Sequence, residues 1–405
     1  MASKTGGRNG IATLVTLLGV AVFLNYVDRG AIGIAAPLMT AELKLDPEAF
    51  GLVLSAFFWV YAPVQLVVGW LCDRFSVYRL MAAGVLLWAV ATFATGFVAG
   101  FTSLMILRVL LGVGETIAFP GASKIITRHV PPERRGMANA ALSLGIALGP
   151  AAGTLAGGLI LASLGWRAIF IAFGIVTLLW LAPWFGATGK LERSDAPDGQ
   201  SVPVAALIGK WPLWSMSIAH IASNYVFYFL LGWLPLFLVT SRGLAITEMT
   251  YLATLGYAAQ AVAALGFGML SDSWTKSGRP EALMRRWMMV LGQLVAGLAV
   301  LGIAFADGPL ELGLLLCLAG IATGALSLNT YAVAQMFAGA RAAGTWVGIQ
   351  NAVGNTSGIF GPIVTGIIVK QLGYTTAFAV TAAVAIAGAV WWIVGVPAIR
   401  EVALD

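Results

Sequence analysis

Of 405 residues, 60% are hydrophobic and only 10% charged, where a soluble chain carries roughly a quarter charged residues, so most of this molecule cannot be covered by water. The formal net charge of +6 does not point to nucleic acid, because the basic residues fall in the short breaks between long apolar runs, which is a membrane pattern.

The chain opens on a short basic segment, Met1 to Gly10, followed by a long apolar stretch without a small-residue cleavage pattern, and reads as a retained first span. A layer of about 30 Å takes about 20 apolar residues per helix. On that scale spans are predicted at 11–40, 50–70, 78–98, 102–127, 136–163 and 165–186, then at 212–240, 248–270, 286–306, 311–338, 342–369 and 374–396. Backbone groups must pair within the segment in hydrocarbon, and runs without dyad alternation exclude a barrel, so the fold class is an all-α membrane protein of twelve transmembrane helices. Between the sixes lies the longest polar stretch, with Lys190, Glu192, Arg193, Asp195 and Asp198. The expected organisation is a six-helix bundle over 1–186, a cytoplasmic linker over 187–211 and a second bundle over 212–405.

With the N-terminus cytoplasmic, seventeen basic residues fall on that side, four (Lys44, Arg167, Arg242, Lys370) on the other, and two inside spans. The positive-inside rule then places both termini in the cytoplasm. The halves also echo each other. Gly69 and Asp73 after span 2 recur as Gly268 and Asp272 after span 8, offset by 199, and Gly145 and Gly149 in span 5 recur as Gly354 and Gly358 in span 11, offset by 209. Such repeats commonly place a substrate site at their interface. The series Gly145, Gly149, Gly153 and Gly157 also lets span 5 approach a neighbour closely.

Four charged residues lie well inside spans: Asp28 and Arg29 in span 1, Arg108 and Glu115 in span 4. Each costs about 2.5 to 3.5 kcal/mol at a helix centre on insertion scales, so the default reading is functional. Arg108 and Glu115 are two turns apart and share a face, whereas Asp28 and Arg29 diverge by about 100°, one toward a cavity and the other toward a partner helix. Burial favours the protonated form of a carboxyl and a nearby arginine favours the ionised form, so an acid beside a movable arginine is a proton switch. Arginine binds carboxylates through paired hydrogen bonds, which lets an anion compete with the acids. The alternative is two interhelical ion pairs that hold the bundle. Tyr61 and Gln65 share a face of span 2, as Asn351 and Asn355 do in span 11; mid-span amides face protein or a cavity. In span 7, Tyr225 and Trp233 read equally as packing or ligand contacts, and His220 as a packing residue.

Nothing here reads as an enzyme. A P-loop is absent, and two histidines, His129 and His220, support neither a hydrolase triad nor a metal site. Cys72 and Cys317 make neither a disulfide framework nor a metal site, and no cofactor is expected.

Gly69, Asp73, Arg74 and Arg79 follow the G-x-x-x-D-R-x-x-x-x-R cytoplasmic motif of the major facilitator superfamily, which the chain resembles over almost its whole length. Within it the chain resembles the anion:cation symporter family, on N-Y-V-D-R from Asn25 to Arg29, Tyr61 with Gln65, R-V-L-L-G-V-G-E-T-I-A-F-P from Arg108 to Pro120, the aromatic span 7, and G-I-Q-N-A-V-G-N with Asn351 and Asn355. That resemblance implies a protonatable pair, Asp28 and Glu115, with Arg29 and Arg108 coordinating the anion or the acids. It also implies a polar cavity lined by Tyr61, Gln65, Tyr228, Asn351 and Asn355, and a gating motif of Gly69, Asp73, Arg74, Arg79 and its echo Asp272. The glycine series of span 5 would support rocking of the halves. Span 5 is small and apolar around Ser143, where sugar-acid members often place a polar ligand, which leaves room for a more apolar carboxylate. The expectation is a monomeric, proton-coupled symporter of a small organic anion working by alternating access in a bacterial inner membrane. A proton-driven exporter on the same fold and a non-transporting receptor are the competing readings.

Overall fold

The computed structural model describes residues 8–131, 134–189 and 204–403. Among them every regular element is a helix. The order is α1 (Arg8–Glu42), α2 (Pro47–Arg74), α3 (Val77–Thr95), α4 (Phe101–Glu115), α5 (Ala118–His129), α6 (Arg135–Leu164), α7 (Trp166–Leu179) and α8 (Leu181–Thr188), then a short α9 (Val204–Ile208). It continues with α10 (Trp211–Thr240), α11 (Ile246–Lys276), α12 (Glu281–Ile303), α13 (Pro309–Gly354) and α14 (Ser357–Val394).

Local chemistry sets the ends. Asp46 caps α2 by accepting from the Ala49 backbone N–H at 2.8 Å, and Pro47 begins the helix where no N–H is needed. The apolar stretch over 342–394 is 53 residues long, too long for one crossing at 1.5 Å per residue. Gly373, at φ 80°, reverses the chain there, and Gly339, at φ 62°, does the same between the tenth and eleventh crossings. The spans therefore number twelve. Among the described residues three of them differ from single straight helices: the fourth breaks between α4 and α5, directly after Glu115, the sixth between α7 and α8, and the eleventh between α13 and α14, at Asn355 and Thr356. The polar residues of the linker, 190–203, lie outside the described residues.

The first six crossings and the last six meet along α1 with α10, α2 with α13 and α14, and α6 with α11. At the end away from the termini this contact is tight. Residues 27–37 of α1 and 228–238 of α10 are buried on every face. A Cβ on Gly33 would overlap the Leu231 carbonyl oxygen, and one on Gly51 the Pro362 carbonyl oxygen, so glycine at both positions is what lets the backbones touch. Phe50 packs edge-on to Trp233, ring centroids 5.2 Å apart, and Lys370 of α14 reaches Asp46 at 2.9 Å and Glu48 at 2.5 Å beside α2. Toward the termini, a Cβ at Gly266, Gly344 or Gly348 would meet no atom within 4 Å.

The glycine series of α6 lies against α1, with Gly145 over Gly19 and Phe23, Gly149 over Tyr26 and Gly153 over Val27. It knits neighbours within the first six crossings and is not the surface between the two sets; there, α6 meets α11 at Gly158 and Thr250. The echo in span 11 is partial. Gly354 lies against His220 of α10, which repeats the arrangement, but Gly358 lies against Phe58 of α2.

Candidate functional site

The four charges inside spans are all buried, Glu115 completely and the others to within 4%. Arg29 points toward α4 and gives both Nε (3.1 Å) and Nη2 (2.7 Å) to Glu115 Oε2, while Nη2 also donates to Asn25 Oδ1 at 3.2 Å. Its guanidinium is boxed by rings, with centroids at 4.7 Å (Tyr61), 5.0 Å (Phe57) and 5.1 Å (Tyr26). Cation–π contacts of this kind hold a desolvated cation that has only one counter-ion. Glu115 Oε1 has no hydrogen-bond partner among the described residues.

Arg108 is two turns from Glu115 on the same face of α4, and its guanidinium is 5.2 Å from the centroid of the Phe57 ring that Arg29 also contacts. Its Nε reaches only the Val53 carbonyl, at 3.4 Å, and it forms no ion pair among the described residues. Beside it is a cavity of about 20 Å³, room for about one water, lined by Arg29, Arg108, Leu54, Phe58, Tyr228 and Pro362 among others. The site is thus closed down around two arginines and one carboxylate, and a larger guest requires side chains or helices to part.

Asp28 does not belong to that cavity. Adjacent to Arg29 in sequence but about 100° round the helix, it faces α3 and α7, where its Oδ2 accepts from Trp88 Nε1 at 3.1 Å and Thr177 Oγ1 at 2.9 Å. The divergence expected of these neighbours is what the structure shows, and it separates the two acids: Glu115 is paired with arginine and Asp28 with neutral donors.

The polar residues of α2, α10 and span 11 form a second layer. Tyr61 stacks on Phe57, centroids 4.9 Å apart. Gln65 Oε1 accepts from Asn351 Nδ2 at 3.0 Å, a bond between the two sets of crossings, and Asn351 Oδ1 accepts from Tyr331 at 2.9 Å. Tyr228 donates to Asn355 Oδ1 at 2.5 Å, and Asn355 Nδ2 donates to the Asn351 carbonyl at 2.8 Å. Of the five residues expected to line the cavity, Tyr228 borders the water-sized cavity and the other four belong to this second layer. His220 packs edge-on to Tyr331. Trp233 is a packing residue on Phe50.

The gating motif stands apart. Arg74, Arg79 and Asp272 are exposed at the end that carries the termini, and the side chains of Gly69 and Asp73 lie outside the described residues. Sequence reasoning missed Tyr26, Phe57, Tyr331, Trp88 and Thr177. Tyr26 is three residues from Arg29, a spacing that could have found it. Trp88 and Thr177 sent no signal, since both residue types are ordinary in apolar spans and their partner is 60 and 149 positions away.

The sequence profile of the Major Facilitator Superfamily matches residues 18–284 and 246–403. The chain is 27% identical to the hexuronate transporter of Bacillus subtilis, over 96% of each chain. It is 29% identical to a probable sulfoacetate transporter of Cupriavidus necator, over 94% of this chain and 93% of that one. In fold it is similar to a bacterial homolog of the human lysosomal transporter Spinster, solved in an inward-facing and occupied conformation, with a TM-score of 0.77, 21% identity and 96% of each chain covered. Twelve apolar crossings, a buried charged layer between them and relatives that are named transporters and not enzymes agree with that profile: the chain belongs to the Major Facilitator Superfamily.

Proposed function

We propose that this protein is a proton-coupled symporter of a small organic carboxylate, with Arg108 as the counter-charge for the anion and Glu115 and Asp28 as the proton-exchanging acids. The observation that carries the reading is a buried arginine with no carboxylate partner among the described residues, at the edge of a cavity, since arginine cannot shed its charge and an unpaired buried cation is costly. Arg29 is engaged by Glu115. A proton on Glu115 weakens that pair and releases Arg29 toward an anion already attracted by Arg108, so proton and anion favour each other's binding. Relatives named for hexuronate and sulfoacetate transport, both acids, support an anionic substrate.

The seventeen-to-four distribution of basic residues supports cytoplasmic termini, and the tight packing at the opposite end supports a molecule closed on its outer side. Alternation requires the contacts at Gly33, Gly51 and Lys370 to part on one side, and passage on the side of the termini requires the Gln65–Asn351 bond to open. Proteoliposomes with an imposed inside-alkaline gradient test the reading. Accumulation of a labelled carboxylate is expected, with Glu115→Gln losing gradient-driven accumulation while retaining exchange. Exclusion of the carboxylate would point to export, and a gradient of sodium replacing that of protons would overturn the coupling.

A further inference from the structure

Asp28 is a carboxyl in the middle of the first span that is 2% exposed, away from the cavity beside Arg108 and, among the described residues, without a basic partner. Its surroundings are built. Trp88 of α3 and Thr177 of α7, both fully buried, aim their only side-chain donors at the same oxygen, Oδ2, while Oδ1 has no partner among the described residues. Other titratable or charged groups are few. On α1 itself they are Tyr26 and Arg29, with Arg8 and Glu42 at its ends, about 30 and 21 Å along the helix, and on α4 they are Arg108 and Glu115, with Glu115 already bound to Arg29. On α3 and α7 the charges, Arg79 and Arg167, are nine and ten residues from Trp88 and Thr177, about 13 and 15 Å along the helices. The other elements packed on α1 present Tyr225, Tyr228 and His220 from α10, the glycine face of α6, whose Arg135 is at its first turn, and the far end of α5 with Lys124, Arg128 and His129; α8 bears no charged residue.

We propose that Trp88 and Thr177 are positioning residues for proton coupling: a two-donor cradle that holds Asp28 as an ionised carboxylate without a counter-charge, leaves Oδ1 bare to receive the proton, and so sets the pH at which transport is driven. The proposal rests on the reading of Asp28 as a proton-exchanging acid. A proton arriving from solvent forms one O–H bond at Oδ1 and breaks neither hydrogen bond at Oδ2, so the carboxyl is neutralised without a change in its position. Donors directed at a carboxylate favour the ionised form. Removing one therefore lets Asp28 take its proton at higher pH.

The test is the pH profile of carboxylate uptake in proteoliposomes for wild type, Thr177→Val, Thr177→Ser and Trp88→Phe. Thr177→Val and Trp88→Phe are expected to move the midpoint upward by on the order of one pH unit, and Thr177→Ser, which keeps the hydroxyl, to retain the wild-type midpoint. A wild-type midpoint in a folded Thr177→Val would overturn the cradle while leaving proton coupling intact. A flat wild-type profile would overturn coupling and the cradle together. Infrared titration of the wild-type protein needs no destabilising variant: a protonated-carboxyl band absent from Asp28→Asn is expected, and its shift to higher frequency in Thr177→Ser would contradict the arrangement.

Discussion

Arg29 and Glu115 are not equivalent halves of one ion pair. The guanidinium keeps its charge in any protein environment, whereas a buried carboxyl deserted by its partner can take up a proton. Glu115→Leu therefore leaves an obligatory buried cation and is expected to cost about 3 to 5 kcal/mol, while Arg29→Leu leaves an acid that neutralises itself and costs about 1 to 3 kcal/mol. Thermal unfolding in detergent checks the order, and equal losses would show that the Tyr26, Phe57 and Tyr61 rings carry the arginine without the glutamate. At this scale the charged residues were legible because each was an exception to an apolar background. Which arginine was engaged was not legible, because Arg29 and Arg108 are both within reach of Phe57 and only the fold decides that Glu115 goes to Arg29. Trp88 and Thr177 were invisible for the opposite reason, being residues an apolar span tolerates without function.

Helix ends carry the contacts that must break. Lys370 at the end of the eleventh crossing joins Asp46 and Glu48 at the start of α2. The Ala49 backbone N–H and then Lys370 hold the Asp46 carboxyl below the usual carboxylate range, and Glu48 and Asp46 hold Lys370 above the usual lysine range. A lowered carboxyl contributes fully above its unfolded value and loses that contribution as pH falls through the lowered one, so this latch stays charged from mild acid to mild base. On the proposed coupling, a proton gradient therefore acts through the buried acids and not here. An exposed pair is worth little and is screened by salt, so Lys370→Glu is expected to loosen closure modestly: a cysteine placed at Ala35 should react severalfold faster with an impermeant maleimide from that side, and the difference should shrink at high salt. Unchanged labelling would remove the latch from the gate. The elements themselves were readable from apolar length, including the reversal near Gly373, since composition alone separates lipid from water. The break after Glu115 had a signal that was not used: Pro120 has no N–H to offer the Thr116 carbonyl four residues back, and its ring crowds that carbonyl.

Over the whole molecule, glycine allows contact at one end and a layer of amides and phenols bridges the middle, and that is what a rocking transporter needs. The span 5 glycines were expected to bring a neighbour close, and they do, but that the neighbour is α1 could not be read, because a small-residue stripe says that a neighbour is close without saying which. What distinguishes the site from a bundle held by ion pairs is one unmatched arginine. The most direct test is thermal stabilisation of the purified protein by a panel of small carboxylates, each shift measured against the same protein without ligand, for wild type and Arg108→Ala. A ligand that binds the folded state raises the unfolding midpoint with concentration. At least one carboxylate is expected to stabilise the wild type and to lose at least about tenfold in affinity, about 1.4 kcal/mol, in Arg108→Ala. Equal stabilisation of both proteins by the same carboxylate would contradict the assignment of Arg108 as the anion's counter-charge.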